Sequence, residues 1–596
     1  MNSTAETTKS EQRSKKPRKA SAPPSFAESL FRGKILSDRI FPYPPSTKDE
    51  DELLNMTLRS IQKFAETVNV QRIEEEKKIP PEYLARMKEL GLFGLIIPEE
   101  YGGFGFSVRN YLQILSAVSL IDPNLSTTLG AHQSIGLKAL LMFGSPEQKN
   151  KYLPKLATGE LIAAFGLTEP GAGSDARNLR TTAELSTDGS HYVLNGNKIW
   201  ITNGGIANFF TVFARTFHHD EKKERITGFI ITRDMAGFSS GPEEKKLGLL
   251  GSSTTGLHFE NVKVPSENVI GEPGKGFKIA MAVLNNGRIG LAGTCALAIK
   301  WLIQTAMEHA LQRKQFGKSL SEFELIQSKF ANMLIENFAA ESMAFVTARL
   351  IDSGVHDYSL ETAMCKVFST ESEWRAANEC LQIAGGAGYM KEYPYEKVLR
   401  DSRILTIWEG ANEILRLFIG LSGLQGPGEQ LKEISETLRK PLHDVLKSIG
   451  VLSDFGVRWI QKRVTKPEHL KGMDPFFSRE AEVFDKYTAL LAMESERLLL
   501  KFGKNIIHKE FMVKRLADVA IDLYAIACSL SRGTDLIQRH GANKVDYEIT
   551  LVKAFCRKAR RRMAENFRRI DKNDDSLEIS IANHFYERNG FAREGF

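Results

Sequence analysis

The chain has 596 residues, more than one hydrophobic core usually supports, so we expect two to four domains. Its composition, 42% hydrophobic and 26% charged, is that of a soluble or peripherally bound globular protein, and its longest apolar runs are too short to cross a bilayer. Much of the net charge of +7 comes from a basic N-terminal segment, but no zinc ligands or helix-turn-helix pattern follow it, so nucleic acid is not an expected partner.

Residues 1–34 form that basic segment. They carry eight Lys and Arg residues against three Glu and are rich in Ser, which is typical of a mitochondrial presequence, although Glu6 and Glu11 count against this interpretation. A solvated basic tail is the alternative. The five cysteines are odd in number and include no Cys-x-x-Cys pair, so we expect buried thiols, a reducing compartment and no cysteine metal site.

Residues 50–160 are predicted to form an N-terminal helical domain, because Leu54, Leu58 and Ile61 recur at helical spacing. From 161 to 272 the apolar period falls to two, which predicts a middle β domain.

Two local signals shape the predicted β domain. Asn195-Gly196 lies between alternating apolar residues and predicts a two-residue hairpin turn. In the last predicted strand the apolar residues lie on one side before Glu260 and on the other side after it, which predicts a turn or bulge near Glu260.

Residues 275–422 return to helical periodicity and are predicted to form a second helical domain. The predicted helices cover 289–313, 324–352, 361–384 and 411–422. Gly-Pro-Gly at 426–428 predicts a boundary, and residues 430–596 are expected to form a helical C-terminal extension.

Five short stretches carry residue types that suit cofactor binding or catalysis: 166–175, 198–205, 313–317, 382–389 and 405–410. A glycine-rich loop can turn backbone N–H groups toward a phosphate or a carbonyl-rich ring, and an indole can stack on a planar cofactor. Each stretch alone also fits an ordinary role: an exposed turn, a half-buried strand, a surface turn, a helix C-cap or a carboxylate at a helix N-terminus.

Together, in this order and spacing, the five stretches resemble the acyl-CoA dehydrogenase family. The resemblance runs from about residue 50 to 422. It implies an α+β, mostly helical fold with a helical N-domain, a middle β-barrel-like domain and a C-terminal helical bundle, which is the order indicated by the periodicity. It also implies FAD between the β domain and the bundle, with no metal.

The resemblance assigns two groups of residues to FAD. From the same subunit these are Phe165, Leu167, Thr168, Gly173, Ser174, Trp200, Ile201, Thr202, Ala411 and Asn412. Across a homodimer interface they are Arg313, Phe316, Gln382, Gly385 and Gly386. An arginine suits the pyrophosphate because its planar fork donates to two oxygens at once.

Glu409 matches the catalytic base of the family. An apolar setting beside Trp408 should raise the pKa of its carboxylate toward the working pH, and the backbone N–H of Glu409 with a ribityl hydroxyl would polarise the acyl carbonyl. Some family members instead place the base as a Glu directly before an Arg on an earlier helix; here that position is Gly287, before Arg288. Ala411 replaces the usual Thr after Glu-Gly, and Trp408 replaces Tyr or Phe.

The substrate is expected to be a long or very long acyl-CoA. The C-terminal extension and the stretch 129–136 resemble the very-long-chain branch of the family, which includes a paralogue tied to respiratory complex I assembly. The predicted substrate-binding residues are Ser126, Gly130, Ser174, Arg288, Trp408 and Gly410. Ser126 and Gly130 stand where shorter-chain enzymes have bulky polar residues, so they should deepen the acyl channel.

The resemblance also implies a partner and a place in the cell. Electrons would pass to an electron-transfer flavoprotein on the matrix side of the inner mitochondrial membrane. Residues 442–463 combine an apolar helical face with Lys and Arg, which fits peripheral membrane contact, although an ordinary core helix has the same pattern. Two alternatives stay open: an assembly scaffold with little chemistry, and an oxygen-using acyl-CoA oxidase, for which the C-terminus lacks the Ser-Lys-Leu import signal.

Overall fold

The computed structural model describes residues 25–44, 48–217, 225–438 and 468–591. Its first element is helix α1 (Phe26–Leu30), whose Phe26, Leu30 and the following Phe31 are fully buried. The backbone N–H of Ala27 donates to the buried carboxylate of Glu361 at 2.9 Å. The predicted basic tail of 1–34 was therefore wrong for residues 25–34, because their apolar side chains pack into the core.

The next part of the chain is helical up to Ala157. It contains α2 (Lys48–Ala65), α3 (Val70–Glu76), α4 (Pro81–Glu89), α5 (Val108–Ile121), α6 (Pro123–Gly130), a π-helix (Ala131–Gly136), α7 (Lys138–Phe143) and α8 (Pro146–Ala157). The start of α8 is stabilised by a capping box, in which Ser145 and Gln148 exchange side chain–backbone hydrogen bonds.

Strands follow, as the period of two predicts. They are β1 (Ala163–Gly166), β2 (Thr182–Leu185), β3 (His191–Thr202), β4 (Phe209–Phe217), β5 (Arg225–Thr232), β6 (Phe238–Glu243), β7 (Thr254–Pro265) and β8 (Val269–Ile270). They form one eight-stranded sheet in the order β6-β7-β3-β2-β4-β5-β8, with β1 paired parallel to β4.

The predicted hairpin turn at Asn195-Gly196 was wrong, because β3 runs straight through it. Leu194 pairs with Val262 and Gly196 with Phe259, so Glu260 and Asn261 of β7 bulge opposite Asn195. This confirms the bulge predicted near Glu260. A Cβ on Gly196 would lie 2.7 Å from the Cα of Thr181, so the glycine is needed for a close strand approach.

The helical bundle begins where its domain was predicted to begin, but its first helix starts earlier than the predicted residue 289. Its helices are α9 (Gly276–Gln312), α10 (Glu324–Asp352), α11 (Ser359–Ala384), α12 (Gly386–Tyr389), α13 (Tyr395–Ser402) and α14 (Asn412–Leu438). Within the described residues α9 alone is long and apolar enough to cross a membrane, but more than half of its most apolar window is buried in the protein, as in a core helix. A small hairpin, β9 (Lys314–Gln315) and β10 (Lys318–Ser319), follows α9.

The Gly-Pro-Gly at 426–428 does not interrupt the helix, because α14 continues through it with Pro427 inside. The glycines allow close packing instead. A Cβ on Gly423 would lie 2.4 Å from the ring of Phe31, and one on Gly426 would overlap the guanidinium of Arg32. The predicted boundary is therefore not marked by a break in the helix, and the N-terminal segment packs against these residues.

From residue 468 to 591 the C-terminal extension contains four α-helices: α15 (Ser478–Phe502), α16 (Glu510–His540), α17 (Asp546–Asp571) and α18 (Asp575–Glu587). Helix α16 is the most buried of them, and the hydroxyl of its Tyr524 bonds that of Thr347 on α10 at 2.7 Å. The predicted membrane segment 442–463 lies outside the described residues.

Candidate active site

A cavity of about 950 Å³ lies where the N-terminal helices, the sheet and the helical bundle meet. Most of the predicted site residues line it. These are Ser126, Gly130, Phe165, Leu167, Thr168, Gly173, Ser174, Trp200, Ile201, Thr202, Arg288, Trp408, Glu409 and Gly410. Residues far apart in sequence therefore share one space, although their individual roles stay predictions.

One wall of the cavity carries a planar aromatic surface. Lys198 pairs with Leu257 and Ile201 with Thr255, so Ile199 and Trp200 bulge out of β3. Trp200 has a φ of 57° and remains 64% exposed while it lines the cavity. A non-glycine residue in this left-handed conformation is uncommon and marks a constrained site. The bulge leaves the indole available to a planar group.

A buried ion pair joins this wall to the glycine-rich loop. The ammonium of Lys198 donates to the carboxylate of Glu169 at 2.7 Å and to the carbonyl of Leu167 at 3.2 Å. Glu169 also accepts the backbone N–H groups of Arg180 and Thr181. Burial lowers the pKa of Lys198 to about 8, against the attraction of Glu169. The pair holds residues 166–175 beside Trp200.

Glu409 lies on a short loop between a 3-10 turn (Arg403–Thr406) and α14. Both Glu409 and Gly410 have positive φ, 53° and 101°. Arg288 donates from Nε to the carbonyl of Glu409 at 3.2 Å, and Lys366 donates to the carbonyl of Gly410 at 2.9 Å. Two cations from different helices therefore hold the strained loop in place.

The carboxyl group of Glu409 is poorly solvated. Burial raises its pKa to about 7, although Arg288 and Lys366 oppose the shift. Its Oε2 atom and the indole N–H of Trp408 are buried without a hydrogen-bond partner among the described residues. Within the same residues the backbone N–H of Glu409 has no acceptor either. The loop thus presents a proton acceptor and an unpaired donor close together.

The floor of the cavity is lined by small residues. Gly130 ends α6, and a Cβ there would meet only Leu115, at 4.0 Å, so the space beside it is open. Ser126 lies one turn earlier and turns its hydroxyl back to the carbonyl of Pro123. The π-helix continues this wall with Ser134, and such wide turns are frequent at functional sites.

The predicted residues that do not line the cavity lie at three places. Arg313 and Phe316 lie on the β9–β10 hairpin, where Phe316 is 95% exposed with a φ of 51°. Gln382, Gly385 and Gly386 lie at the exposed end of α11. Ala411 and Asn412 follow the Glu409 loop, and Asn412 is buried against Lys366 at 2.8 Å and against Thr370.

Sequence reasoning missed Lys366. A lysine within a helix usually lies on the surface, and no local signal distinguishes this one. The structure buries it completely, and burial lowers its pKa to about 8. Its two acceptors, Gly410 and Asn412, are more than forty residues away.

The fold and the cavity bring a desolvated carboxylate and an exposed indole together, an arrangement typical of a cofactor-dependent enzyme. Family models match most of the chain: acyl-CoA dehydrogenase N-terminal domain at 48–160, middle domain at 164–262, C-terminal domain at 274–424, and ACAD9/ACADV C-terminal domain at 475–591. The chain belongs to the acyl-CoA dehydrogenase family, whose members are flavoprotein oxidoreductases.

Individual relatives agree with this assignment. The chain is 40% identical to the human mitochondrial very-long-chain specific acyl-CoA dehydrogenase over 97% of this chain and 89% of that protein. A Bacillus anthracis acyl-CoA dehydrogenase complexed with FAD has a TM-score of 0.77 and 32% identity, covering 93% of this chain and 94% of that one. A Megasphaera elsdenii butyryl-CoA dehydrogenase has a TM-score of 0.60 and 36% identity, covering 64% and 100%.

Proposed function

We propose that this enzyme uses FAD to oxidise long or very long acyl-CoA thioesters to trans-2-enoyl thioesters, with Glu409 as the catalytic base. The observation that carries the proposal is the isolated, desolvated carboxyl of Glu409 beside a cavity whose floor is lined by small residues. The chemistry supplied by bound FAD is acceptance of the β-hydrogen with its bonding electrons. The side chains and backbone of the protein supply the other functions, which are proton removal and positioning of the substrate.

Glu409 removes the α-proton. A carboxylate in water is far too weak a base for the α-position of a thioester, but a pKa near 7 makes it a stronger base that is still largely ionised at slightly alkaline pH. The unpaired backbone N–H of Glu409 can donate to the thioester oxygen as negative charge develops there. Arg288 and Lys366 keep both groups in place through the loop carbonyls.

The cavity fits the cofactor as well as the substrate. Trp200 offers an exposed indole face, and Thr168, Gly173, Ser174 and Thr202 line the same wall. These residues would hold FAD in the subunit. Arg313, Phe316, Gln382, Gly385 and Gly386 would reach the FAD of a second subunit, which suits the exposure of the hairpin and of the end of α11. A homodimer is therefore part of the proposal.

Three further parts of the proposal rest on the family resemblance. The electron acceptor is an electron-transfer flavoprotein, the location is the matrix side of the inner mitochondrial membrane, and residues 442–463 contact that membrane peripherally. Deletion of 442–463 should weaken binding to anionic liposomes, and unchanged binding would reject the contact.

An anaerobic acyl-CoA series from C4 to C20, followed by flavin bleaching, tests the main proposal. We expect rapid bleaching from about C12 upward and little with butyryl-CoA; equal rates with butyryl-CoA and palmitoyl-CoA would contradict it. Glu409→Gln should bind FAD and acyl-CoA without bleaching. Oxygen consumption without an added acceptor would favour an oxidase, and absence of bleaching with every substrate would favour a scaffold.

A further inference from the structure

The part of the cavity beyond the base carries an acidic side chain that the proposed reaction does not use. Glu373, on α11, lines the cavity yet is only 6% exposed. The thiol of Cys295, a weak donor, hydrogen-bonds to it, and the charged group that acts on it is another acid, Asp401. No described basic residue forms an ion pair with it.

Helix α9 shows how far this side chain lies from the base. Gly287 of α9 contacts the carboxylate of Glu409, and Cys295, eight residues later, contacts Glu373. At 1.5 Å per residue these positions are about 12 Å apart. An extended chain advances about 1.2 Å per bond, so about ten bonds separate the α-carbon from Glu373. An acyl chain reaches it at roughly its twelfth to fourteenth carbon.

Helix α9 also defines the direction in which the acyl chain would run through the cavity. Exposed residues of the glycine-rich loop, with Phe277 and Met281 near the start of α9, line the end where the cavity opens. Beyond the base, the lining continues through Leu291 and Ala298 to Trp301. Glu373 belongs to this second half together with Asp401, which lines the cavity and forms an ion pair with Lys397. Glu373 has no such partner among the described residues, and a methyl-terminated chain would offer its carboxyl group no hydrogen bond.

We propose that Glu373 makes this channel a site for acyl-CoA chains that carry a hydroxyl group at the ω end, with 12 to 14 carbons. The inference rests on the long-chain dehydrogenation proposed above and extends it to the substrate class. A buried hydroxyl without a partner is costly, whereas one that bonds the Glu373 carboxyl satisfies both groups. Burial, reinforced by Asp401, raises the pKa of Glu373 to about 7, so the group can accept or donate at neutral pH.

The test compares each ω-hydroxyacyl-CoA with the unsubstituted acyl-CoA of equal length, for C8, C12, C14 and C16, in the FAD-loaded enzyme. The readout is the ratio of the two kcat/KM values within one protein, so a general loss of activity cancels. In the native enzyme we expect a ratio near one at C12 to C14. Glu373→Ala and the volume-matched Glu373→Leu should lower it by about tenfold, and Glu373→Gln should keep it.

The C8 pair is the internal control, because its ω end cannot reach Glu373 and its ratio should not change between variants. If the C12 and C14 ratios are equal in the native enzyme, Glu373→Ala and Glu373→Leu, the inference is overturned. A native enzyme that rejects every ω-hydroxy substrate overturns it too. Failure of the unsubstituted C12 to C16 substrates would instead contradict the proposed function, so the two failures are distinguishable.

Discussion

Gly287 of α9 and Glu409 of the following loop occupy adjoining space: a Cβ on Gly287 would lie 2.5 Å from Oε2 of Glu409 and 2.9 Å from Oε1. The carboxylate therefore rests against bare helix backbone. A Cβ at 287 would overlap the carboxylate of Glu409 in its present position, so the end of the Glu409 side chain would have to shift. Glycine at 287 therefore leaves the carboxylate of Glu409 in the position from which we propose that it acts as the base.

Gly287→Ala should consequently displace the carboxylate. Real Cβ atoms essentially never approach other atoms to 2.5 Å, so either the Glu409 side chain or its strained loop must move. Because a displacement of about 1 Å in an active site can lower the rate about 100-fold, we expect kcat to fall by roughly that factor. The measurement is kcat with palmitoyl-CoA at matched flavin content.

Gly290→Ala is the matched control on the same helix. A Cβ there meets Leu115 at 3.7 Å and Tyr111 at 3.9 Å, which are ordinary contacts. We expect this variant to retain kcat within about threefold, since its new methyl group creates only ordinary contacts. Equal losses in the two alanine variants would refute the special place of Gly287.

The pH dependence follows from the raised pKa of Glu409. The base must be ionised, so kcat/KM should be low below neutrality and rise through an apparent pKa near 7. Lys366 lowers the pKa of Glu409 through its charge. Lys366→Gln should therefore move the rise to higher pH, as measured from kcat/KM between pH 5.5 and 9.

Lys300→Gln provides the control for the last prediction. It removes one positive charge from a solvent-exposed position of α9, where solvent screens it. The profile of this variant should overlay that of the native enzyme. A Lys366→Gln profile that also overlays it would show that Lys366 has no electrostatic effect on the base.

The residues that local chemistry identifies were predictable from the sequence, and those that depend on distant contacts were not. Glu409 and Trp200 stand in recognisable stretches, and both line the cavity. Lys366 has no local signal, because its acceptors lie on the Glu409 loop and at the start of α14. At Asn195-Gly196 the local signal was present but misleading, since the glycine is required by the approach of Thr181.

The depth of the acyl channel should depend on Gly130. Its Cβ position opens into the cavity, so Gly130→Leu can fold and place four carbons in the channel. We expect kcat/KM for palmitoyl-CoA to fall at least about tenfold, since the chain loses burial worth about 0.8 kcal/mol per excluded CH₂. Octanoyl-CoA is the control in the same protein. An equal loss of kcat/KM with palmitoyl-CoA and octanoyl-CoA would show that the acyl channel does not run past Gly130.

Removing Lys198 alone should destabilise the protein more than removing both charges of the buried Lys198–Glu169 pair. Burial works to raise the pKa of Glu169, but Lys198 and the backbone N–H groups of Arg180 and Thr181 hold it below its ordinary value. Lys198→Met leaves that carboxylate buried without its cation, a change that typically costs about 3–5 kcal/mol. The double variant Lys198→Met/Glu169→Gln buries no charge and keeps an acceptor oxygen for one of these N–H groups, which donate to different oxygens of Glu169 in the native protein. We expect the Tm and flavin retention of the single variant to be the lowest of the three proteins, with the double variant between it and the native enzyme. A double variant no better than the single one would mean that Lys198 acts through its contact with the Leu167 carbonyl rather than through Glu169.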